Sequence, residues 1–188
     1  MGLDMYLTRK KYIGAEYEHR NVEANISIKI GGKEIPIDIK KISYIEEAVA
    51  YWRKANAIHN WFVNNIQEGE DDCKEYYVST EDLQKLLDLC KEVKEKAILV
   101  DGDVASSYSV KDGEWVPNLV NGKIIQNAEE IAKILPTQEG FFFGNTDYNE
   151  YYMDDIENTI RIIEEQIERE KELKEMNIYT YLEYSSSW

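Results

Sequence analysis

Four residues suited by type to holding a polar ligand fall within one short stretch: Arg53, Asn56, His59 and Asn60, with Trp52 directly before them. Arginine offers a planar fork of donors that fits phosphate or carboxylate. Each asparagine both donates and accepts, which suits a base edge or ribose hydroxyls. The imidazole of His59 can bond the same ligand or act as a general base, and the Trp52 indole can stack on a ring. The spacing predicts a helix within Tyr44–Ile66. At 100° per residue, Ile45, Val49, Trp52 and Val63 form one stripe. Asn56 and His59 fall inside that stripe, and Arg53 and Asn60 on its border. A buried amide or imidazole left without a partner costs roughly 1–3 kcal/mol. This face therefore meets either a polar ligand or a structural network that holds the loop Gln67–Cys73 or the chain entry before the helix.

A second candidate is the glycine-framed loop Gly140-Phe141-Phe142-Phe143-Gly144, followed by Tyr148, Tyr151 and Tyr152. Three consecutive Phe cannot all point inward, so at least one is expected at a cleft, a subunit contact or solvent. The loop is either an aromatic wall over a pocket or a plug that closes the sheet. The acidic stretch Glu68, Glu70, Asp71 and Asp72 is a weaker metal candidate, as are Asp147, Asp154 and Asp155. The stretch lacks calcium-loop spacing, and a solvated turn explains it as well. No metal site, cofactor or catalytic residue is expected. The chain has no phosphate-binding glycine loop, dinucleotide fingerprint, nucleophile elbow or zinc-hydrolase helix. With His19 and His59 as its only histidines, a multi-histidine metal centre is excluded. A His59–Cys73 nucleophile pair has no supporting context.

The composition narrows the partners. Hydrophobic residues make up 43% of the 188, enough for a real core. Tyrosine (14) outnumbers phenylalanine (4), which suits a surface that grips rings or a partner, or a tyrosine-rich core. The formal net charge of −15 argues against duplex nucleic acid. It is unevenly spread: residues 1–66 carry 10 Lys+Arg and 8 Asp+Glu, residues 67–188 carry 12 and 29. A small anion is thus expected near the first third, around Arg9-Lys10-Lys11, Lys40-Lys41 or Arg53-Lys54. Cys73 and Cys90 form no metal or disulfide pattern. Without a signal region or a long apolar run, the reading is a cytoplasmic protein with no membrane partner.

The elements that must position these residues begin with a strand at Met5–Ile13 and a polar loop over 14–23. A hairpin Asn25–Ile30, Gly31-Gly32, Lys33–Ile39 follows, then the helix above and a short strand Glu75–Val78. Ser79 with Asp82 resembles a capping box that opens a helix ending near Lys96, with Leu83, Leu86, Leu87, Cys90 and Val93 as its apolar stripe. Asp112-Gly113 and Asn121-Gly122 both read as hairpin turns, so 97–126 is expected as a β-meander, possible as an insertion. Asn127 caps a short helix that Pro136 helps to stop. A long helix over Asn149–Met176 carries Ile156, Ile160, Ile163 and Ile167 on a narrow stripe with charged flanks, which packs either on the sheet of its own chain or against a second chain, a homodimer being slightly favoured. A strand Ile178–Tyr184 ends the chain. The expectation is α+β: one domain over 1–188, with an antiparallel sheet and three to four helices on one face, including the long C-terminal one. First and last strands are expected to pair.

Three blocks together resemble a family of small uncharacterised bacteriophage and prophage proteins: Met1-Gly2-Leu3-Asp4-Met5-Tyr6-Leu7, Tyr51-Trp52-Arg53-Lys54-Ala55-Asn56-Ala57-Ile58-His59, and Leu135-Pro136-Thr137-Gln138 with Gly140–Gly144. The resemblance implies a phage accessory protein in the host cytoplasm. Such proteins often interfere with host defence, some by sequestering nucleotide-derived signals. The leading expectation is a non-catalytic protein that captures a small anionic, nucleotide-like ligand. Arg53 would meet phosphate, Asn56, His59 and Asn60 would read polar edges, and Trp52, Phe141, Phe142, Phe143 and Tyr148 would line the ring site. The alternatives are a protein–protein inhibitor of a host enzyme, using the acidic surface and the Phe loop, and a small nucleotide hydrolase with His59 as base.

Overall fold

The computed structural model describes residues 2–13 and 26–188. The expected loop over 14–23, with His19, and the first residue of the expected Asn25–Ile30 strand lie outside the described residues. Strand β1 (Asp4–Tyr12) is followed by a small hairpin, β2 (Ile28–Ile30) and β3 (Lys33–Ile35), which turns at Gly31-Gly32 as expected. Then come β4 (Tyr44–Arg53), α1 (Asn56–Asn65), β5 (Tyr76–Val78), α2 (Thr80–Lys96), β6 (Leu99–Lys111), β7 (Glu114–Ile125), α3 (Ala128–Ile134), α4 (Glu150–Glu175) and β8 (Tyr181–Ser187). The fold is α+β.

The main sheet runs β4-β1-β8-β5, antiparallel throughout. First and last strands pair, with Asp4 opposite Ser187 and Lys10 opposite Tyr181. Met5, Leu7 and Arg9 of β1, Ala50 and Trp52 of β4, and Leu182, Tyr184 and Ser186 of β8 are buried on one face. That face meets the helices. Phe62 of α1 stacks on Tyr184 with ring centroids 3.9 Å apart. The Trp52 indole donates to Thr159 of α4, and Arg9 bonds Gln166 and Glu170 of the same helix. The opposite face carries Tyr6, Tyr51 and Tyr44 at the surface. Lys10 lies among Glu46, Glu75 and Glu183 there, and the last two hold its ammonium in the charged form.

Helix α2 follows the sequence closely. The Ser79 hydroxyl accepts from Asp82 N–H and donates to its carboxylate, and all five expected stripe residues are buried. Helix α4 packs on α2, with Lys91–Glu164 and Lys94–Glu157 ion pairs across the seam. Ile156 and Ile163 are fully buried, and Ile160 and Ile167 pack against the same core. The isoleucine stripe is thus covered within its own chain.

The structure corrects several expectations. Tyr44–Ile66 is not one helix: Tyr44–Arg53 is a strand, and the helix starts at Asn56. Between them Lys54 takes a left-handed backbone, φ 59°. Ile45, Val49 and Trp52 are spaced like a helical stripe, yet burial in β4 alternates, with Ala50 and Trp52 in and Tyr51 and Arg53 out. Aromatic and β-branched side chains suit that half-buried pleat. The segment 97–126 is a single long hairpin that turns at Asp112-Gly113, not a meander. Asn121-Gly122 lies inside β7, with Gly122 opposite Gly102. A Cβ on Gly122 would sit 2.6 Å from Glu150 Oε1 and Val104 Cγ2, so this glycine serves close packing and not a turn. Finally, β8 starts three residues later than expected, because Ile178 N–H still bonds Leu173 O at the exit of α4.

Asn127 precedes α3 as expected, but its side chain does not cap the helix. It accepts from Ile98 N–H and donates to Lys96 O, which fastens the base of the β6–β7 hairpin.

Candidate functional site

The three blocks that carry the resemblance converge in space. Leu3 N–H donates to Phe142 O at 2.9 Å, and Leu3 O accepts from Lys54 N–H at 2.8 Å. The Asn56 amide donates to Phe143 O and Asn145 O, and its carbonyl accepts from Gln138 N–H. Asn60 donates to Pro136 O. These bonds tie the β4–α1 joint to the Phe loop and fix the loop's backbone.

Next to this junction opens a cleft of about 940 Å³. Its walls are the joint (Arg53 to Ile58), the Phe141–Asp147 loop, the first turns of α4 and the β6–β7 hairpin. That volume lies at the upper end of small-molecule sites. Gly144, with φ 86°, turns the loop where it passes Lys54; a Cβ there would touch the lysine side chain at 3.4 Å. Asn149 caps α4 by accepting from the N–H groups of Tyr151 and Tyr152. Lys123 N–H donates to the Glu150 carboxylate, and Ile125 N–H to Tyr148 O, so the hairpin base is held against the start of α4.

The cleft brings together rings and charges. Trp115 is 74% exposed and Phe141 95% exposed, and Tyr108, Phe142 and Tyr151 line the same space. Phe141 and Phe142 meet edge to face at 4.9 Å. Arg53 and Lys54 line one side and make no ion pair among the described residues. Asp147, Asp154 and Asp155 line the cleft as well, also without hydrogen-bond partners for their carboxylates. Burial, with a smaller push from Asp154, raises Asp155 to about 7. A half-buried, unpartnered carboxyl in a cleft marks a candidate functional site with a physical cause.

The other expected site residues are held by the protein itself. Trp52 is buried on the sheet's inner face and bonds Thr159. Every polar atom of the Asn56 side chain is taken by the Phe loop. His59 is fully buried away from the cleft. Its Nε2 lies 3.0 Å from Asp71 Oδ2 and its Nδ1 2.7 Å from the Tyr184 hydroxyl. A carboxylate only accepts, so Nε2–H donates to Asp71 and Nδ1 accepts from Tyr184. Trp188 donates to the other Asp71 oxygen, and the Phe143 ring meets the imidazole edge-on at 4.9 Å. Burial lowers His59 despite the carboxylate and raises Tyr184, so the chain of bonds is a neutral imidazole between fixed partners. It fastens the loop Gln67–Cys73 to α1 and β8. Tyr148 accepts from Thr137 N–H and packs on Tyr152. Asn60 also accepts from Asn64, and Phe143 belongs to the core.

Of the expected residues, Arg53, Asn56, Phe141 and Phe142 line the cleft; of these, the Asn56 amide is bonded to the Phe loop. Tyr108 and Trp115 were not expected there, because nothing local shows that a hairpin at 99–125 reaches the Phe loop. Asp154 and Asp155 appeared in the sequence only as a weak metal signal. Among the described residues no group of three or more His, Cys, Asp or Glu is placed to hold a metal ion, and no helix is long and apolar enough to cross a membrane. No protein-family model matches this chain, and no curated protein or solved structure matches it.

Proposed function

We propose that the cleft captures a small anionic, ring-bearing molecule of the nucleotide class and holds it without chemistry. One observation carries this reading: two unpaired cations, Arg53 and Lys54, line the same open cleft as the rings of Tyr108, Trp115, Phe141 and Phe142. Unpaired cations attract phosphate, and rings on loop and hairpin offer faces for stacking. Nothing with nucleophile geometry lines the cleft: His59 is held elsewhere, and Cys90 is buried on the inner face of α2 with its thiol pushed up to about 12. The resemblance to phage accessory proteins adds the biological side of the proposal, a sponge for a host-defence signal.

The test is capture and release. The protein is incubated with nucleotides, cyclic dinucleotides and ADP-ribose derivatives, and free ligand is measured before and after heat denaturation. Depletion followed by release of the intact compound is expected, and Arg53→Ala and Phe141→Ala should each weaken retention while the fold is kept. A chemically changed product would replace this reading with an enzyme.

A second reading has its own support. Trp115 and Phe141 are far more exposed than large rings usually are, and residues 67–188 are strongly acidic. A basic host protein would meet both. Salt-sensitive capture of a protein, with no small molecule depleted, would favour it.

A further inference from the structure

We infer that the carboxylates at the start of α4, Asp155 with Asp154, read a base edge carrying two adjacent N–H donors, the edge of guanine. This rests on the nucleotide reading of the cleft and names the base it takes.

Several polar side chains along the cleft are already bonded within the chain. Asn56, the cleft's obvious two-way reader, has both ends of its amide bonded to the loop. The Ser106 hydroxyl donates to Asn118 O, and the Ser107 hydroxyl accepts from the Asn118 amide. The Thr137 hydroxyl lies against Thr146 O and the Tyr148 hydroxyl. Apart from the tyrosine and Ser107 hydroxyls and the Trp115 indole N–H, what remains is Arg53 and Lys54, which only donate, the Asn145 amide, which does both, and Asp147, Asp154 and Asp155, which when ionised only accept. The cations suit phosphate. Of the acceptors, Asp155 is half-buried and unpartnered, so a base edge held against it must present donors.

Guanine presents N1–H and the 2-amino group side by side, and one carboxylate can accept from both. Adenine and cytosine place a single donor beside an acceptor, which a carboxylate would repel. Asp155 is the better placed of the pair. It is half-buried where Asp154 is exposed, and a hydrogen bond counts for more where water is excluded. It also sits one helical turn from Tyr151 and Tyr152, so a base held there lies close to rings.

Protonation gives the inference a sign. The donor edge needs Asp155 ionised, and this group titrates at about 7 in the free protein. Asp154 on the same helix, Arg53 and Lys54 at the joint, Asp147 in the loop, and Tyr108, Tyr151 and Tyr152 also line the cleft; of these, Asp154 is the one that raises it. Affinity for guanine should therefore rise with pH, by about tenfold between pH 6 and pH 8. A base read by a protonated carboxyl would show the opposite slope.

The experiment is calorimetric titration of the full chain with GMP, IMP, AMP, cyclic di-GMP and cyclic di-AMP at pH 6 and pH 8. Spermidine and inorganic phosphate serve as controls. GMP should bind about tenfold tighter than IMP, which lacks the 2-amino group, and about a hundredfold tighter than AMP. The Asp155→Asn variant should lose at least tenfold for GMP and flatten the pH dependence, with its far-UV circular dichroism unchanged. Equal binding of all the bases would overturn the guanine inference and leave the nucleotide reading standing. No binding of any nucleotide by folded protein would overturn both. Displacement of GMP by spermidine at comparable concentration would show that the acidic wall takes any ammonium group, and would also overturn the inference.

Discussion

Replacing Asp155 by asparagine should stabilise the protein, and only above acidic pH. The group stands at about 7 in the folded chain against an ordinary 3.8. Its first cause is burial and its second the neighbouring Asp154. The folded state thus holds this proton more tightly than the unfolded chain does. Below about pH 4 the group is protonated in both states and costs nothing. As pH rises from 4 to 7, the unfolded chain releases the proton while the folded one still holds it, and stability is lost. Three pH units at 1.36 kcal/mol each give an upper bound of about 4 kcal/mol above pH 7. Asp155 keeps some contact with water, which relaxes the environment, so roughly 2–4 kcal/mol is the expected size. Asparagine keeps the shape and does not titrate. Urea denaturation of both proteins at pH 4, 5.5, 7 and 8.5 should show curves that coincide at pH 4 and diverge upward. With a slope of about 2 kcal/mol per molar, the midpoint of the variant should lie about 1–2 M higher at pH 8.5. A difference that does not change with pH would refute the argument, because only a titrating group produces the divergence.

Three further outcomes follow from named contacts. Trp52→Phe removes the indole bond to Thr159 and should cost about 1–2 kcal/mol in chemical denaturation with the fold kept. His59→Ala should cost more, about 3 kcal/mol, since it leaves both Asp71 and Tyr184 without their partner; nucleotide affinity of the folded fraction should be unchanged, and a large loss there would return His59 to the site. Lys54→Gly should raise stability by about 1 kcal/mol, because the left-handed backbone at φ 59° suits glycine, while weakening phosphate binding; thermal melting and titration on the same sample would reveal whether the two effects separate.

The parts of the fold legible in the sequence are those fixed by local chemistry. Ser79 and Asp82 mark a helix start, and the stripe from Leu83 to Val93 has one period over three turns. Gly31-Gly32 supplies two positive φ angles, as a tight hairpin requires. The errors come where two periods overlap or where contact is non-local. In β4 the apolar residues Ile45, Val49 and Trp52 fit a helical stripe by spacing, while the Tyr51 and Arg53 that break it face out of a sheet. Asn121-Gly122 has the composition of a turn, yet its glycine answers the approach of Glu150 and Val104, which no local pattern contains. The same limit applies to the cleft. Arg53 and the Phe loop are visible by type, whereas Tyr108, Trp115 and Asp155 matter only once the hairpin and α4 are placed beside them.

The division between the His59 network and the cleft is one of hydrogen-bond completeness. Residues that looked alike in sequence as polar groups near aromatics separate cleanly in space. His59 uses both ring nitrogens, Asn56 both ends of its amide, and Asn60 both a donor and an acceptor, each within the chain. Elsewhere the protein also brings its charges together, as in Arg9 with Glu170 and Lys10 with Glu75 and Glu183. In the cleft it does not. Arg53 and Lys54 at the β4–α1 joint share a cavity with three carboxylates, and no pair among them approaches to ion-pair distance. Rotation of long side chains would let exposed ions meet at little cost if nothing else set their positions. Here the joint is fastened through Leu3 and the loop, which carries Asp147, and Asp154 and Asp155 ride on a capped helix. A rigid frame that holds opposite charges apart across a ring-lined space is suited to a molecule that is anionic at one end and rich in N–H donors at the other.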